Sequence, residues 1–346
     1  MGTIRFFIDG REITVTEGET ILEAASKNGI YIPHVCHHPD LKPAGMCRVC
    51  VVEADGLLVP ACRAPAAAGM VVKTGGNLVN KMQRLAVELL ATNHHDDCLA
   101  CGKNNACKLQ EVAQYVGVDK QRLTRFQAQE LRPVDDSNPF ISRDYNKCIL
   151  CGICVRACNE ITCIEAIDYA FRGYAAKIST LSDKPLQDSK CTSCGECMVR
   201  CPVGALLPKG GVQAAYEVKT VCPYCGCGCG VYLSVREGKI VGVRGDRESK
   251  VNEGELCVKG RFGYSFVNHA ERLTAPLIKR NGRFEEASWD EALDLVANKF
   301  REIQAEYGPE SLGGLSSARV TNEDNYLFQK LLRSLGSNSI DHCARL

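Results

Sequence analysis

Cys148-Ile149-Leu150-Cys151-Gly152-Ile153-Cys154-Val155-Arg156-Ala157-Cys158 is the stretch that decides the fold, because it returns as Cys191-Thr192-Ser193-Cys194-Gly195-Glu196-Cys197-Met198-Val199-Arg200-Cys201. Both copies read C-x2-C-x2-C-x3-C, and the second begins 43 residues after the first. Pro202 gives the second copy a C-P ending, while Asn159 takes that place in the first. Cysteines at such short, even intervals wrap one face of a cube, which suits a cubane iron–sulfur cluster better than a lone tetrahedral zinc. Between the copies, residues 164–182 alternate weakly and predict a β-hairpin.

The paired runs resemble the two-cluster ferredoxins, in which the last cysteine of each run crosses to the other cluster. That resemblance implies one [4Fe–4S] on Cys148, Cys151, Cys154 and Cys201, and another on Cys191, Cys194, Cys197 and Cys158. The whole chain has 22 cysteines in 346 residues, too long a chain for a small disulfide scaffold. With 42 Lys+Arg against 41 Asp+Glu, it has no basic footprint for nucleic acid or a membrane surface. No apolar stretch is long enough to span a bilayer, and Met1-Gly2-Thr3-Ile4-Arg5-Phe6 reads as neither a signal peptide nor a twin-arginine start. The expectation is a cytoplasmic protein whose cysteines stay reduced to hold metal.

Outward from the double run, the other cysteines mark further modules. Residues 1–78 open with alternating runs, Thr3–Ile8 and Glu12–Thr16, around Asp9-Gly10-Arg11, a hairpin signal. An amphipathic segment, Glu19–Asn28, follows, with Gly29 as its stop. Cys36, Cys47, Cys50 and Cys62 then give C-x10-C-x2-C-x11-C. Zinc is the plain alternative for four cysteines, although zinc sites pair two close knuckles and Cys36 and Cys62 stand alone. This module resembles the β-grasp [2Fe–2S] domain at the start of complex I's large iron–sulfur subunit, which implies a [2Fe–2S] cluster here. In residues 79–120, a helix predicted over Asn80–Thr92 leads to His94, Cys98, Cys101 and Cys107, or H-x3-C-x2-C-x5-C. Imidazole supplies the fourth ligand that three cysteines leave open. The same string follows the β-grasp domain in complex I-like subunits, whereas His95 reads as a solvent-facing loop residue. His37 and His38, beside Cys36, read as loop or outer-shell donors.

The double-run module spans 138–208, and past the Lys209-Gly210-Gly211 linker a further module covers 215–275. There Cys222, Cys225, Cys229 and Cys257 give C-x2-C-x3-C-x27-C around a strand pair, Gly230–Val235 and Lys239–Val243, turning at Glu237-Gly238. The spacing resembles the N-terminal [4Fe–4S] domain of molybdopterin-dependent oxidoreductases. A zinc ribbon is the rival, though it wants a second C-x2-C near Cys257. Cys227 lies inside the same loop and competes with Cys229 for the third ligand place. Cys163, in Ile161-Thr162-Cys163-Ile164, is expected to be a buried small hydrophobe.

Taken in order, these α+β modules resemble the catalytic alpha subunit of NAD-linked molybdenum or tungsten formate dehydrogenases. Residues 276–346 then resemble the start of the family's pterin-binding α/β domain. Its entry is Ser316-Ser317-Ala318-Arg319-Val320-Thr321-Asn322-Glu323-Asp324-Asn325-Tyr326. Ile340-Asp341-His342-Cys343-Ala344-Arg345-Leu346 resembles the string before the family's metal-ligating Cys or selenocysteine. The resemblance therefore implies no catalytic residue within the chain and a metal ligand directly after Leu346, with an in-frame selenocysteine codon as one expected cause and a contig end or a deliberately shortened chain as the others. The predicted helix 289–303, strand 311–316 and helix 322–335 lack neighbours to cover their apolar faces.

The resemblance further implies formate oxidation to CO₂, or the reverse, at a molybdenum or tungsten centre on two molybdopterin guanine dinucleotides. Five clusters, one [2Fe–2S] and four [4Fe–4S], about eighteen irons per chain, would carry the electrons. Lys259 resembles the family lysine between cluster and pterin, and Ser316, Ser317 and Arg319 are candidate cofactor contacts. No G-x-G-x-x-G stands between a strand and a helix, so the NAD(P) site is expected on a flavin-bearing partner subunit, or a hydrogenase or ferredoxin takes its place. The rival reading is an electron-transfer iron–sulfur subunit of an NADH dehydrogenase or hydrogenase complex. A multi-zinc interaction module is the third, and iron analysis would separate it from the others.

Overall fold

The computed structural model describes residues 2–92, 94–95, 97–118, 131–211 and 214–345. The chain divides into two compact units, Met1–Gly210 and Gly211–Leu346, with the break inside the Lys209–Gly211 linker.

The first unit opens with a hairpin of β1 (Thr3–Ile8) and β2 (Arg11–Thr16). Asp9 and Gly10 at its turn both have positive φ, 49° and 79°, the twist that a two-residue hairpin requires. Helix α1 (Ile21–Lys27) begins at a capping box, in which Thr20 Oγ1 accepts the Glu23 N–H and the Glu23 carboxylate accepts the Thr20 N–H. Strands β3 (Val51–Ala54), β4 (Leu57–Pro60) and β5 (Val71–Lys73) complete a five-stranded sheet in the order β2-β1-β5-β3-β4. Only the β1–β5 pair is parallel. Phe6, Ile8 and Ile13 of the sheet meet Ile21, Leu22 and Ala25 of α1 in a closed core that also takes in Cys50 and Cys62.

Helix α2 (Asn77–Ala91) starts three residues earlier than its apolar spacing predicts, and its buried Gln83 donates to the Val51 carbonyl at 3.0 Å. After it come α3 (Lys108–Val116) and the ferredoxin-like segment. There β6 (Ile141–Arg143) pairs antiparallel with β9 (Leu206–Pro208), bracketing both cysteine runs. Each run leads into one short helical turn, α4 (Ile153–Arg156) or α5 (Glu196–Val199). The hairpin predicted within 164–182 forms as β7 (Asp168–Ala170) and β8 (Lys177–Ser179).

In the second unit, β10 (Tyr216–Val221), β11 (Gly230–Arg236) and β12 (Lys239–Gly245) make an antiparallel sheet. The first of these strands was not expected. Its six residues are all exposed, although Tyr216 and Val218 alternate with Glu217 and Lys219 as in a strand. Helix α6 (Val258–Phe262) follows Cys257. A hairpin of β13 (Leu277–Arg280) and β14 (Arg283–Glu286), also unexpected, turns on Asn281-Gly282. Helix α7 (Trp289–Tyr307), β15 (Gly314–Ser316), α8 (Asn322–Ser334) and β16 (Ile340–His342) close the described chain. β15 and β16 are parallel, joined through α8, so the strand–helix unit does have one neighbouring strand within the chain. Among the described residues no helix is long and apolar enough to cross a membrane.

Cys163 corrects an expectation: it is exposed, not a buried small hydrophobe. It sits at φ 53° in a turn whose next N–H, that of Ile164, bonds the Cys158 carbonyl. The local apolar neighbours suggested burial, but the left-handed turn leaves the thiol in solvent.

Candidate metal centres

All 22 cysteines are free thiols, and the fold gathers most of those in the motifs into groups. The ferredoxin-like segment holds two cavities. One is lined by Cys148, Cys151, Cys154 and Cys201, the other by Cys158, Cys191, Cys194 and Cys197. The last cysteine of each run therefore faces the other run's cavity, and Ile167 borders both. The two loops repeat the same backbone device. Leu150 and Ser193 stand at φ 54° and 56°, and Gly152 and Gly195 at 70° and 81°. These left-handed residues bend each loop so that the Leu150 N–H points to Cys148 Sγ at 3.5 Å and the Ser193 N–H to Cys191 Sγ at 3.4 Å. Burial pushes the Cys148 thiol up to about 11 and those of Cys154 and Cys197 further still. Thiols so protected are released as ligands by a metal that replaces their protons, and an apolar cavity rimmed by four sulfurs fits a cubane.

In the β-grasp domain Cys36, Cys47, Cys50 and Cys62 are all buried. Cys50 enters β3 and Cys62 leaves β4, so the β3–β4 hairpin delivers both. Cys36 and Cys47 are joined by the Cys47 N–H on Cys36 Sγ at 3.5 Å. Hydrogen bonding from the Cys47 side chain holds the Cys36 thiol low, whereas Cys47 itself is pushed up. His37 and His38 flank this group without joining the cysteine pairs, and the His38 ring lies 3.6 Å from Asp40.

His94 is half-buried, and its Nδ1 lies 3.0 Å from the Lys147 carbonyl. A carbonyl only accepts, so Nδ1 is the donor in this contact. His95 is exposed, and only its backbone N–H is tied, to the Asn146 carbonyl at 2.8 Å. Lys108 N–H on the Pro202 carbonyl, at 2.9 Å, and Lys147 on Asp97, at 3.1 Å, fix the His94/Cys98/Cys101/Cys107 loop against the end of the second cysteine run and the start of the first. Gly204 makes that approach possible, since a Cβ there would lie 2.4 Å from Cys101 Sγ.

In the second unit, Cys222 and Cys229 pack into one small core with Val231 and Leu256, and the Cys222 N–H closes the loop on the Cys229 carbonyl at 2.8 Å. Cys225 is half-buried, and Cys257 is exposed at the start of α6. Cys227 is exposed, its sulfur 3.5 Å from that of Cys229, so Cys229 is the better placed of the two for the third ligand. Lys259 is exposed one turn beyond Cys257. Ser316 and Ser317 stand at the carboxyl end of β15, where parallel α/β sheets bind ligands. Ser316 bonds Asn325, Ser317 Oγ lies 3.6 Å from Cys343 Sγ, and the Arg319 N–H bonds Ser317 Oγ at 3.0 Å. Sequence reasoning gave Asn322 no role. Its amide donates to the Gly226 carbonyl at 2.9 Å and so ties the 222–229 loop to the N-terminus of α8.

Five family models match consecutive parts of the chain. They are a 2Fe-2S iron-sulfur cluster binding domain over residues 2–76, an NADH-ubiquinone oxidoreductase-G iron-sulfur binding region over 83–122, and an NADH-quinone oxidoreductase subunit 3 ferredoxin-like domain over 138–207. The molybdopterin oxidoreductase Fe4S4 domain follows over 215–269, and molybdopterin oxidoreductase over 272–346. This chain belongs to the molybdopterin-linked iron–sulfur oxidoreductases. Its cofactors are those of these domains: a [2Fe–2S] cluster, several [4Fe–4S] clusters and a molybdopterin. Among curated relatives, NADPH-Fe(3+) oxidoreductase subunit alpha of Geobacter sulfurreducens is 39% identical over 98% of this chain and 40% of its own length. The Bacillus subtilis protein named "Putative formate dehydrogenase YrhE" is 35% identical over 98% of this chain and 39% of its own. The chain thus spans about 40% of the length of these relatives. A solved NAD+-reducing [NiFe]-hydrogenase is similar with a TM-score of 0.55 and 35% identity, over 60% of this chain and 87% of that one.

Proposed function

We propose that this chain is the N-terminal portion of a formate dehydrogenase alpha subunit, carrying electrons between a pterin-bound metal and an NAD(P)-linked partner. The observation that carries the reading is the Asn322–Gly226 bond. It fastens the Cys222/Cys225/Cys229 loop to the helix that starts just past the carboxyl end of β15, where Ser316 and Ser317 stand. A cluster loop and a ligand-binding strand end are thereby held in one unit, an arrangement a pure electron wire does not need. Support for formate comes from the Asp341–Leu346 string and from the relative named for that activity.

A molybdenum or tungsten ion on two pterin dithiolenes supplies, when bound, the two-electron chemistry of formate and CO₂. The protein's own residues bind and orient. Ser316 and Ser317 offer hydroxyls at the strand end, Arg319 offers a guanidinium for an anionic pterin group, and Lys259 places a cation next to the cluster loop. Cys222, Cys225, Cys229 and Cys257 hold the [4Fe–4S] nearest that site. Cys148/Cys151/Cys154/Cys201 and Cys191/Cys194/Cys197/Cys158 would hold two cubanes, His94/Cys98/Cys101/Cys107 a further cluster and Cys36/Cys47/Cys50/Cys62 the [2Fe–2S], which would supply one-electron carriers. The partner is a flavin- and NAD(P)-binding subunit, with a hydrogenase or ferredoxin as the alternative.

A second reading draws on the NADPH-Fe(3+) oxidoreductase relative and the hydrogenase likeness: electron transfer from NADPH or hydrogen with no formate chemistry. Assay of the whole protein separates them. Formate-dependent reduction of a viologen dye is expected. NADPH-dependent Fe(III) reduction with no response to formate would overturn the formate reading and leave the iron–sulfur assignment standing.

A further inference from the structure

Loop 36–42, which begins at Cys36 of the β-grasp domain, lies against the ferredoxin-like segment, and arginines from both cysteine runs hold it. Arg156, between Cys154 and Cys158, donates through one terminal nitrogen to the Lys42 carbonyl at 2.7 Å and through the other to the Cys36 carbonyl. Its Nε is buried and has no protein partner. Arg200, between Cys197 and Cys201, reaches Asp40 at 2.8 Å and also pairs with buried Glu196. The Glu160 carboxylate closes the contact by accepting the Lys42 N–H at 2.8 Å. Beside these, the Tyr169 hydroxyl fills the space between the domains, 3.2 Å from Met46 Sδ and 3.3 Å from the Leu150 carbonyl. Met46 adjoins Cys47, and Leu150 lies between Cys148 and Cys151. Gly152 is small by necessity there, for a Cβ would fall 2.1 Å from the Tyr169 oxygen.

The two arginines are not equivalent. The Arg200 cation is neutralised by two carboxylates, Glu196 and Asp40. Arg156 bonds carbonyls and makes no ion pair among the described residues; Glu160 is close by on the Lys42 N–H, so the Arg156 charge is less compensated than that of Arg200. A cation fixed in a partly dry contact acts strongly on the charge of a neighbouring centre, and hydrogen bonding and local charge are what set iron–sulfur potentials.

We propose that Arg156 is a positioning residue that tunes the [2Fe–2S] centre: fixed on the Cys36 carbonyl, its cation stabilises the reduced cluster and favours electron arrival from the first ferredoxin cubane. The proposal rests on the reading that Cys36, Cys47, Cys50 and Cys62 hold that centre. One electron added to the oxidised cluster raises its negative charge by one, and the adjacent guanidinium favours that state. Tyr169 and Met46, both partly exposed, border the contact, whose part-buried member is the bond to the Cys36 carbonyl.

EPR-monitored redox titration of the cluster-loaded chain tests this. Arg156→Gln should move the [2Fe–2S] midpoint to more negative potential at full signal intensity, while Arg156→Lys, which keeps the charge, stays near wild type. Arg200→Gln, which frees Asp40 of the same loop, should leave the midpoint in place. An unchanged midpoint in Arg156→Gln overturns the proposal, as does an equal negative shift in Arg200→Gln, which would make loop position the cause. If the Gln variant loads no [2Fe–2S], the Lys variant decides: a midpoint near wild type supports the role of the charge, and a negative shift overturns it. Cys36→Ser checks the ligand reading separately, because an unaltered [2Fe–2S] signal in that variant would refute the ligation and not the tuning.

Discussion

At Gly204 the requirement is space. The backbone there has no positive φ to demand glycine, but a Cβ would lie 2.4 Å from Cys101 Sγ. Gly204→Ala should therefore displace Cys101, and iron per chain should fall by one cluster, with a loss of about 1–3 kcal/mol in stability. Iron analysis with EPR of the remaining clusters checks it. Asp135 behaves differently, as a charge at the junction of the two ferredoxin halves. Its carboxylate accepts from the Ser137 hydroxyl and N–H, the Leu186 N–H and the Arg143 guanidinium. Burial alone would raise its pKa, but these donors outweigh burial and hold it below the usual carboxylate range. A depressed folded pKa contributes stability above the unfolded value of about 3.9, and that contribution is lost as pH falls through the folded pKa. Asp135→Asn should cost about 1–2 kcal/mol near neutral pH, and the difference from wild type should shrink on acidification. Denaturant melts at several pH values measure both. Neither residue was legible in the sequence, since Gly204 and Asp135 match no motif, and Cys101 and Leu186, which they meet, lie far along the chain.

At the scale of elements, local signals carried further. Asp9-Gly10 and Glu237-Gly238 take the left-handed pairs that such turns need, and Gly29 ends the α1 region at φ 71°. Helices α1, α2, α7 and α8 form within a few residues of where apolar periodicity and caps put them. Thr20 is the sharpest such signal, and Thr20→Ala removes the side-chain half of the capping box. The expected cost is about 1 kcal/mol, read as a lowered thermal midpoint with the [2Fe–2S] absorbance retained at low temperature. Some strands were missed. β10 is an exposed edge, and three-residue β16 is specified only by pairing with β15. The β13–β14 hairpin did carry a readable cue in Asn281-Gly282. Cys163 marks the opposite failure, where apolar neighbours in sequence did not become neighbours in space.

For the whole molecule, metal and core share the work unequally. Among the described residues the β-grasp core contains sixteen buried residues, whereas the ferredoxin-like core contains Val155, Ile167, Ile178 and Leu186, surrounded by cysteines. Ile141, Ile149, Ile153, Val203 and Leu206 are buried there too, but the cysteines interrupt the apolar packing, so cluster ligation should contribute to the folding free energy of this segment. Oxidative loss of the clusters with chelation should therefore expose the amides of residues 138–208 to hydrogen exchange while those of β1, β2 and α1 stay protected. Equal exposure of both regions would show that the β-grasp core also depends on iron. The sequence alone determined the order of the modules, the helices and turns, and the cysteine spacing that implies clusters, because ligand spacing and turn chemistry act over a few residues. Only the tertiary structure decided that Lys147 orients His94, that Asn322 latches the cluster loop, and that Arg156 reaches the Cys36 carbonyl. Those contacts join residues 50 to 120 positions apart, and at that separation they depend on how whole elements pack, which no local pattern in the chain encodes.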